Sequence, residues 1–147
     1  MTSIQDTMIH DHQRCDHLFA QAEQHAANQQ WPDALNLVQQ FSHALLNHLS
    51  FEENTLFPAF EDKTGMTQGP TMMMRHEHEQ LRELVIELIQ AASDQNQDRY
   101  LGLSESLLIF MQQHNMKEEQ ILYPMIDQEC AEEADQLLSG LNDTHAA

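Results

Sequence analysis

The stretch "HLSFEENTLFP" at residues 48–58 returns as "HNMKEEQILYP" at residues 114–124. Each copy places a histidine four residues before a glutamate pair, followed by leucine, an aromatic residue and proline. The offset of 66 residues also relates Asp11-His12 to Glu77-His78, so the second half of the chain reads as a copy of the first. Within each half the leading histidine precedes the second by 36 residues: His12 and His48, His78 and His114.

That interval has a structural meaning if the chain is helical. Apolar or ligand-type residues recur in 3–4 spacing at 8, 12, 15, 19 and 22; at 35, 38, 41, 45, 48 and 52; at 74, 78, 81, 85 and 88; and at 107, 111, 114, 118, 121 and 125. Strand-like alternation is absent. The pattern predicts helices near 4–27, 33–60, 71–93 and 98–125, and a short acidic helix near 128–140. "NQQWP" and "SDQNQD" supply tight turns, "EDKTGMTQGP" links the halves, and Pro58 and Pro124 are expected to bend or end their helices. A helix that rises for about 15 residues after His12, turns, and descends for about 15 before His48 returns to the same height. The expected fold is therefore all-α: an antiparallel up-down-up-down four-helix bundle with a short C-terminal helix and a pseudo-twofold axis. Its 147 residues suit a single domain, with a core at about 8–127.

His and Glu at i and i+4 project from one helix face, one turn apart, and present an imidazole nitrogen and a carboxylate oxygen to a common point. His48 with Glu52 and His114 with Glu118 make two such pairs; His12 and His78 add two more nitrogens. Buried together without a cation, these six groups would carry desolvation costs of several kcal/mol that a few mutual hydrogen bonds hardly offset. Four imidazoles and two central carboxylates in a bundle point to a dinuclear site for iron, manganese or zinc, with Glu52 and Glu118 bridging and positions left open for a small ligand. In another arrangement Glu119 replaces Glu118. Otherwise Glu53 and Glu119, about 100° off the ligand direction, belong to the surface or support the ligands.

The remaining six histidines, His10, His17, His25, His43, His76 and His145, fall outside the inner seam. Cys15 is expected as a small buried hydrophobe, and Phe57 and Tyr123 as core aromatics beneath the metal layer. Met8 and Met74, each one turn before a leading histidine, are expected to form an apolar lid over the open positions.

Composition narrows the partners. There are 24 acidic residues against 6 basic ones, a net charge of -18, so the footprint that nucleic acid or an anionic membrane requires is missing. No apolar run reaches the roughly 18–20 residues of a membrane span. Two distant cysteines form no redox pair, and "MTSIQDTMIHDH" lacks a basic start and apolar run; a cytoplasmic location is expected.

"DHQRCDHLF", "HLSFEENTLFPAFE", "GPTMMMRHEHEQLREL" and "HNMKEEQILYPMID" together resemble the hemerythrin-like, or HHE cation-binding, domains over about residues 8–127. The resemblance implies two iron ions with an oxo or hydroxo bridge, His12 and His48 serving one and His78 and His114 the other. Manganese and zinc are alternatives. It departs from the oxygen carriers at two places: Met74 stands where they have a further third-helix histidine, and their fourth-helix aspartate at His+5 is Glu119, with Glu118 at His+4. Both changes point to the more symmetrical four-His, two-Glu members, which include di-iron proteins of iron-sulfur repair. The functions implied are binding of, or reaction with, dioxygen, nitric oxide or peroxide in sensing or stress defence; repair of oxidative or nitrosative damage as enzyme or iron donor; and an iron- or oxygen-responsive interaction module with an unknown protein partner.

Overall fold

The computed structural model describes residues 3–146, with side chains described as far as Leu141. Helix α1 spans Ile4–Ala27. Helix α2, Trp31–Phe51, passes through a widened π turn at Glu52–Leu56 into α3, Phe57–Thr64, forming one long rod. The second half repeats this: α4 spans Pro70–Ser93, and α5, Gln97–Lys117, passes through a π turn at Glu118–Leu122 into α6, Tyr123–Glu129. A 3-10 turn at Ala131–Glu133 leads into α7, Ala134–Ala146. No strand occurs among the described residues.

The all-α bundle expected from the sequence is present, with α1 against α2, α4 against α5, and α1 also meeting α5 and α6. The reversals at 28–30 and 94–96 each need one left-handed residue, Gln29 (φ 58°) and Gln95 (φ 55°), again 66 apart. The first half ends differently, at Gly65, whose φ of 72° closes α3 through its N–H to the Glu61 carbonyl.

Three boundaries differ from expectation. The second rod runs to Thr64 and the fourth to Glu129, so Pro58 and Pro124 do not end their helices. In a regular helix proline lacks the N–H and its ring meets the carbonyl four residues back. Here the preceding turn is wide: Phe57 N–H bonds the Glu52 carbonyl and Tyr123 N–H that of Glu118, each five residues back, which relieves that conflict. The C-terminal helix begins at 134, not 128, because α6 continues to Glu129 before the chain turns.

Two apolar clusters fill the interior. One, including Phe19, Trp31, Phe41, Leu88 and Tyr100, occupies the end nearer the tight turns. The other, including Ile4, Met8, Phe57, Met74, Tyr123 and Ile126, occupies the opposite end and is covered by Ala134, Leu138 and Leu141 of α7. The start of α1 is capped across the bundle: Asp127 accepts from the N–H groups of Ile4 (2.7 Å) and Gln5 (3.0 Å). Between the clusters lies a polar layer.

Candidate metal centre

All six residues singled out by the sequence, His12, His48, Glu52, His78, His114 and Glu118, lie in that layer, none more than 3% exposed. Their helices bring them to common points. Glu52 Oε1 stands 3.2 Å from His78 Nε2 and 3.4 Å from His48 Nε2; Glu118 Oε1 stands 3.1 Å from His12 Nε2 and 3.3 Å from His114 Nε2. Each carboxylate therefore meets imidazoles of both halves, as a bridging group must. The donors form two groups with ligand atoms within 4.8 Å of one another: Glu52, His78, His114 and Glu118 in one, and His12, His48 and Glu118 in the other.

Four outer carboxylates hold the imidazoles in place. His12 Nδ1 lies 2.6 Å from Glu119, His48 Nδ1 2.7 Å from Asp11, His78 Nδ1 2.7 Å from Glu53 and His114 Nδ1 2.7 Å from Glu77. A proton on each Nδ1 directed at a carboxylate leaves Nε2 facing the centre, the tautomer that ligation requires. The wiring crosses between helices: Asp11 adjoins His12 but serves His48, and Glu53 of the first half serves His78 of the second. Of only six basic residues in the chain, three bind the side-chain carboxylates of this outer ring: Arg14 to Asp11 (3.2 Å), Arg82 to Glu53 (2.8 and 2.9 Å) and Lys117 to Glu77 (2.7 Å).

Glu53 and Glu119 thus support the histidines, one of the two roles expected for them. Asp11 and Glu77 carry the same task without having been singled out for it. Their signal was in the repeat: an acidic residue precedes each leading histidine and follows each inner glutamate, always at the 66-residue offset.

The electrostatics show how strongly the buried groups of the layer act on one another. Burial alone would lower the pKa of His12, but its hydrogen bonds to Glu118 and Glu119 outweigh this and push it up to about 10. Burial likewise opposes a charge on His78, yet Glu118, Glu52 and Glu53 push it up to about 11. Burial and the neighbouring charge of Glu118 raise Glu52, whereas His114 and hydrogen bonds hold Glu118 well below the usual range despite its burial. Glu53 is likewise lowered to about 2, its burial outweighed by His78 and Arg82. The buried carboxylates thus favour positive charge on His12, His78 and His114, a charge that a bound cation could supply instead.

Among the described residues six buried side-chain polar atoms lack a hydrogen-bond partner, and four of them are Glu52 Oε1, His78 Nε2, His114 Nε2 and Glu118 Oε2. Natural interiors carry only a few such atoms, usually scattered, and here four converge, two from each chemical class. The donor set fits a buried divalent cation of the imidazole- and carboxylate-binding kind.

The sequence model described as the hemerythrin HHE cation binding domain matches residues 3–126. The chain belongs to the hemerythrin family. Neither a curated protein nor a solved structure matches this hemerythrin-family chain.

The other expected positions are also placed. His10, His17, His43 and His76 are exposed, and half-buried His25 bonds Gln30 at the α1–α2 turn; the side chain of His145 lies outside the described residues. Cys15 is buried, and burial with the Asp11 charge pushes its thiol up to about 12, so it remains a neutral packing group. Met8 and Met74 are buried in the apolar cluster beside the layer. Met74 and Leu122 also line a groove of about 400 Å³ with Met73 and Ile121 on its outer side. Phe57 is the expected core aromatic, stacked on His78 with ring centres 5.6 Å apart. Tyr123 departs from expectation: its ring packs below the layer, but its hydroxyl reaches into it, 2.7 Å from Glu52 Oε2 and 2.9 Å from Glu118 Oε1. In a regular helix a residue five positions after Glu118 would point about 140° away. The π turn brings it back to the same face.

No described helix is long and apolar enough to cross a membrane.

Proposed function

We propose that this chain is a non-haem di-iron protein that binds or reacts with dioxygen, nitric oxide or a peroxide in sensing or stress defence. The observation that carries this reading is the convergence of four unpartnered buried donor atoms from both repeats, in a family of cation-binding domains. His12 and His48 would hold one ion and His78 and His114 the other, with Glu52 and Glu118 spanning them. Bound iron would supply electron exchange and open coordination positions for a small ligand. The protein's own contribution is orientation and exclusion: the outer carboxylates aim each Nε2 inward, and apolar clusters on both sides keep bulk water from the layer. The Met73, Met74, Ile121 and Leu122 groove provides an apolar approach, since Met74 is one turn from His78 and Leu122 one turn from Glu118.

The test is anaerobic reconstitution with ferrous iron, followed by metal analysis and optical spectra before and after oxygen or nitric oxide. About two irons per chain and a spectrum altered by either gas are expected. Protein that takes up only zinc under excess ferrous iron would defeat the redox reading. Transfer of iron to an apo iron-sulfur acceptor would select repair instead, and a spectrum indifferent to every ligand would select an interaction module.

A further inference from the structure

The two halves of the centre are unequal, and the difference lies in one oxygen atom. At equivalent places after their π turns stand Phe57 and Tyr123, both fully buried. Phe57 lies against His78 and carries no donor atom for a metal ion. Tyr123 lies against His12, ring centres 5.7 Å apart, and its hydroxyl oxygen is 3.2 Å from His12 Nε2 and 3.4 Å from His48 Nε2, besides its contacts to Glu52 and Glu118. Four His and Glu donors converge within 4.8 Å of one another around His78 and His114, whereas three do so around His12 and His48, where Glu52 stands 3.4 Å from His48 without joining the group.

We infer that Tyr123 is a further donor: a seventh protein ligand, serving only the ion held by His12 and His48. This rests on the di-iron reading above. First-row ions hold nitrogen and oxygen donors at about 2.0–2.2 Å, so neighbouring donors at right angles stand about 3 Å apart. The Tyr123 oxygen has four such neighbours between 2.7 and 3.4 Å, the spacing of a coordination shell. Hydrogen bonding accounts for only part of that crowding, because the phenol oxygen can accept from protonated imidazoles but its one proton cannot serve Glu52 and Glu118 at once. Both unpartnered imidazole nitrogens, His78 Nε2 and His114 Nε2, belong to the four-donor group; in the other half the hydroxyl already meets both Nε2 atoms. On ligation the phenolic O–H bond breaks, its electron pair forms the bond to the ion, and the proton passes to solvent. No electron is transferred in this step.

The chain has two tyrosines, Tyr100 and Tyr123, so one substitution assigns the signal. Parent and Tyr123→Phe proteins are loaded with ferrous iron, oxidised, analysed for iron, and compared by visible absorption and by resonance Raman excited in any visible band. The parent should carry about two irons and show a phenolate-to-ferric charge-transfer band with tyrosine ring modes. Tyr123→Phe should lose both signals and bind its second ion at least about tenfold more weakly, as removal of a supporting group alone already costs about 10–100-fold. Loading with colourless zinc gives an independent reading: a phenolate ultraviolet difference band in the parent, absent from Tyr123→Phe. Two irons without a phenolate band, or a band that survives in Tyr123→Phe, overturns the assignment and leaves the di-iron reading standing. One iron in the parent and two in Tyr123→Phe also overturns it, by showing that the phenol occupies the ion's place. Protein that binds no iron overturns both.

Discussion

Residues 48–58 and 114–124 fold alike down to the widened turn after each inner glutamate, yet the layer they build is not symmetric. On the His78 and His114 side the donor atoms face one another without hydrogen-bond partners; on the His12 and His48 side a phenol stands among them. The backbone repeat places two equivalent aromatic rings, and a single hydroxyl makes their surroundings chemically different. Pseudo-symmetry of a fold therefore says where ligands stand, while equivalence of two metal positions depends on what fills the space beside them.

The largest expected effect comes from the carboxylate common to both donor groups. Glu118→Ala should abolish binding of both ions, whereas Glu52→Ala should weaken the His78 and His114 half more than the other, since Glu52 converges with the donors of that half and only reaches His48 from the edge of the other. Metal analysis and stepwise titration check this; equal losses in the two variants would break the distinction between halves. The outer ring gives a finer test. Asp11→Asn and Glu119→Gln should weaken the ion held by His48 and His12, while Glu53→Gln and Glu77→Gln should weaken the other, each by about 10–100-fold. Two-step binding isotherms should show one step moving in each variant, and uniform weakening of both would contradict the crossed wiring.

Acidity should separate the metal-free and loaded forms. His12 and His78 have folded pKa values of about 10 and 11, above the roughly 6.5 of an unfolded histidine. Their contribution to metal-free stability is complete below about pH 6.5 and is lost as pH rises toward 10–11. Ligation instead requires neutral imidazole, so affinity rises over the same window. The difference in Tm between loaded and metal-free protein should thus widen from pH 6.5 to 9; a narrowing would mean that the metal-free layer does not hold those protons. The smallest effect is expected at His43, exposed and bonded to Asn47, where alanine should change stability by no more than about 0.5 kcal/mol and leave metal content unchanged. Equal losses in His43→Ala and His48→Ala would overturn the assignment of the inner face.

The bundle and the six inward residues were legible because both follow from periodicity: a spacing of four puts His48 above Glu52 on any helix, and an offset of 66 repeats the arrangement. Adjacency along the chain, by contrast, misleads about partners. Asp11 sits beside His12 and orients His48; Asp127 closes the fourth-helix motif and caps the first helix. Such pairings are set by how helices rotate and slide against one another, which local spacing does not encode. Tyr123 was hidden for a related reason. Five residues after Glu118 it should point away on a regular helix, and only the π turn, widened where a proline follows, swings its hydroxyl into the layer. Helical repeat and chemistry at i and i+4 are properties of a single strand of sequence, whereas the outer ring, the cap on α1 and the unequal halves came into being when separate helices packed and their buried polar groups had to find partners.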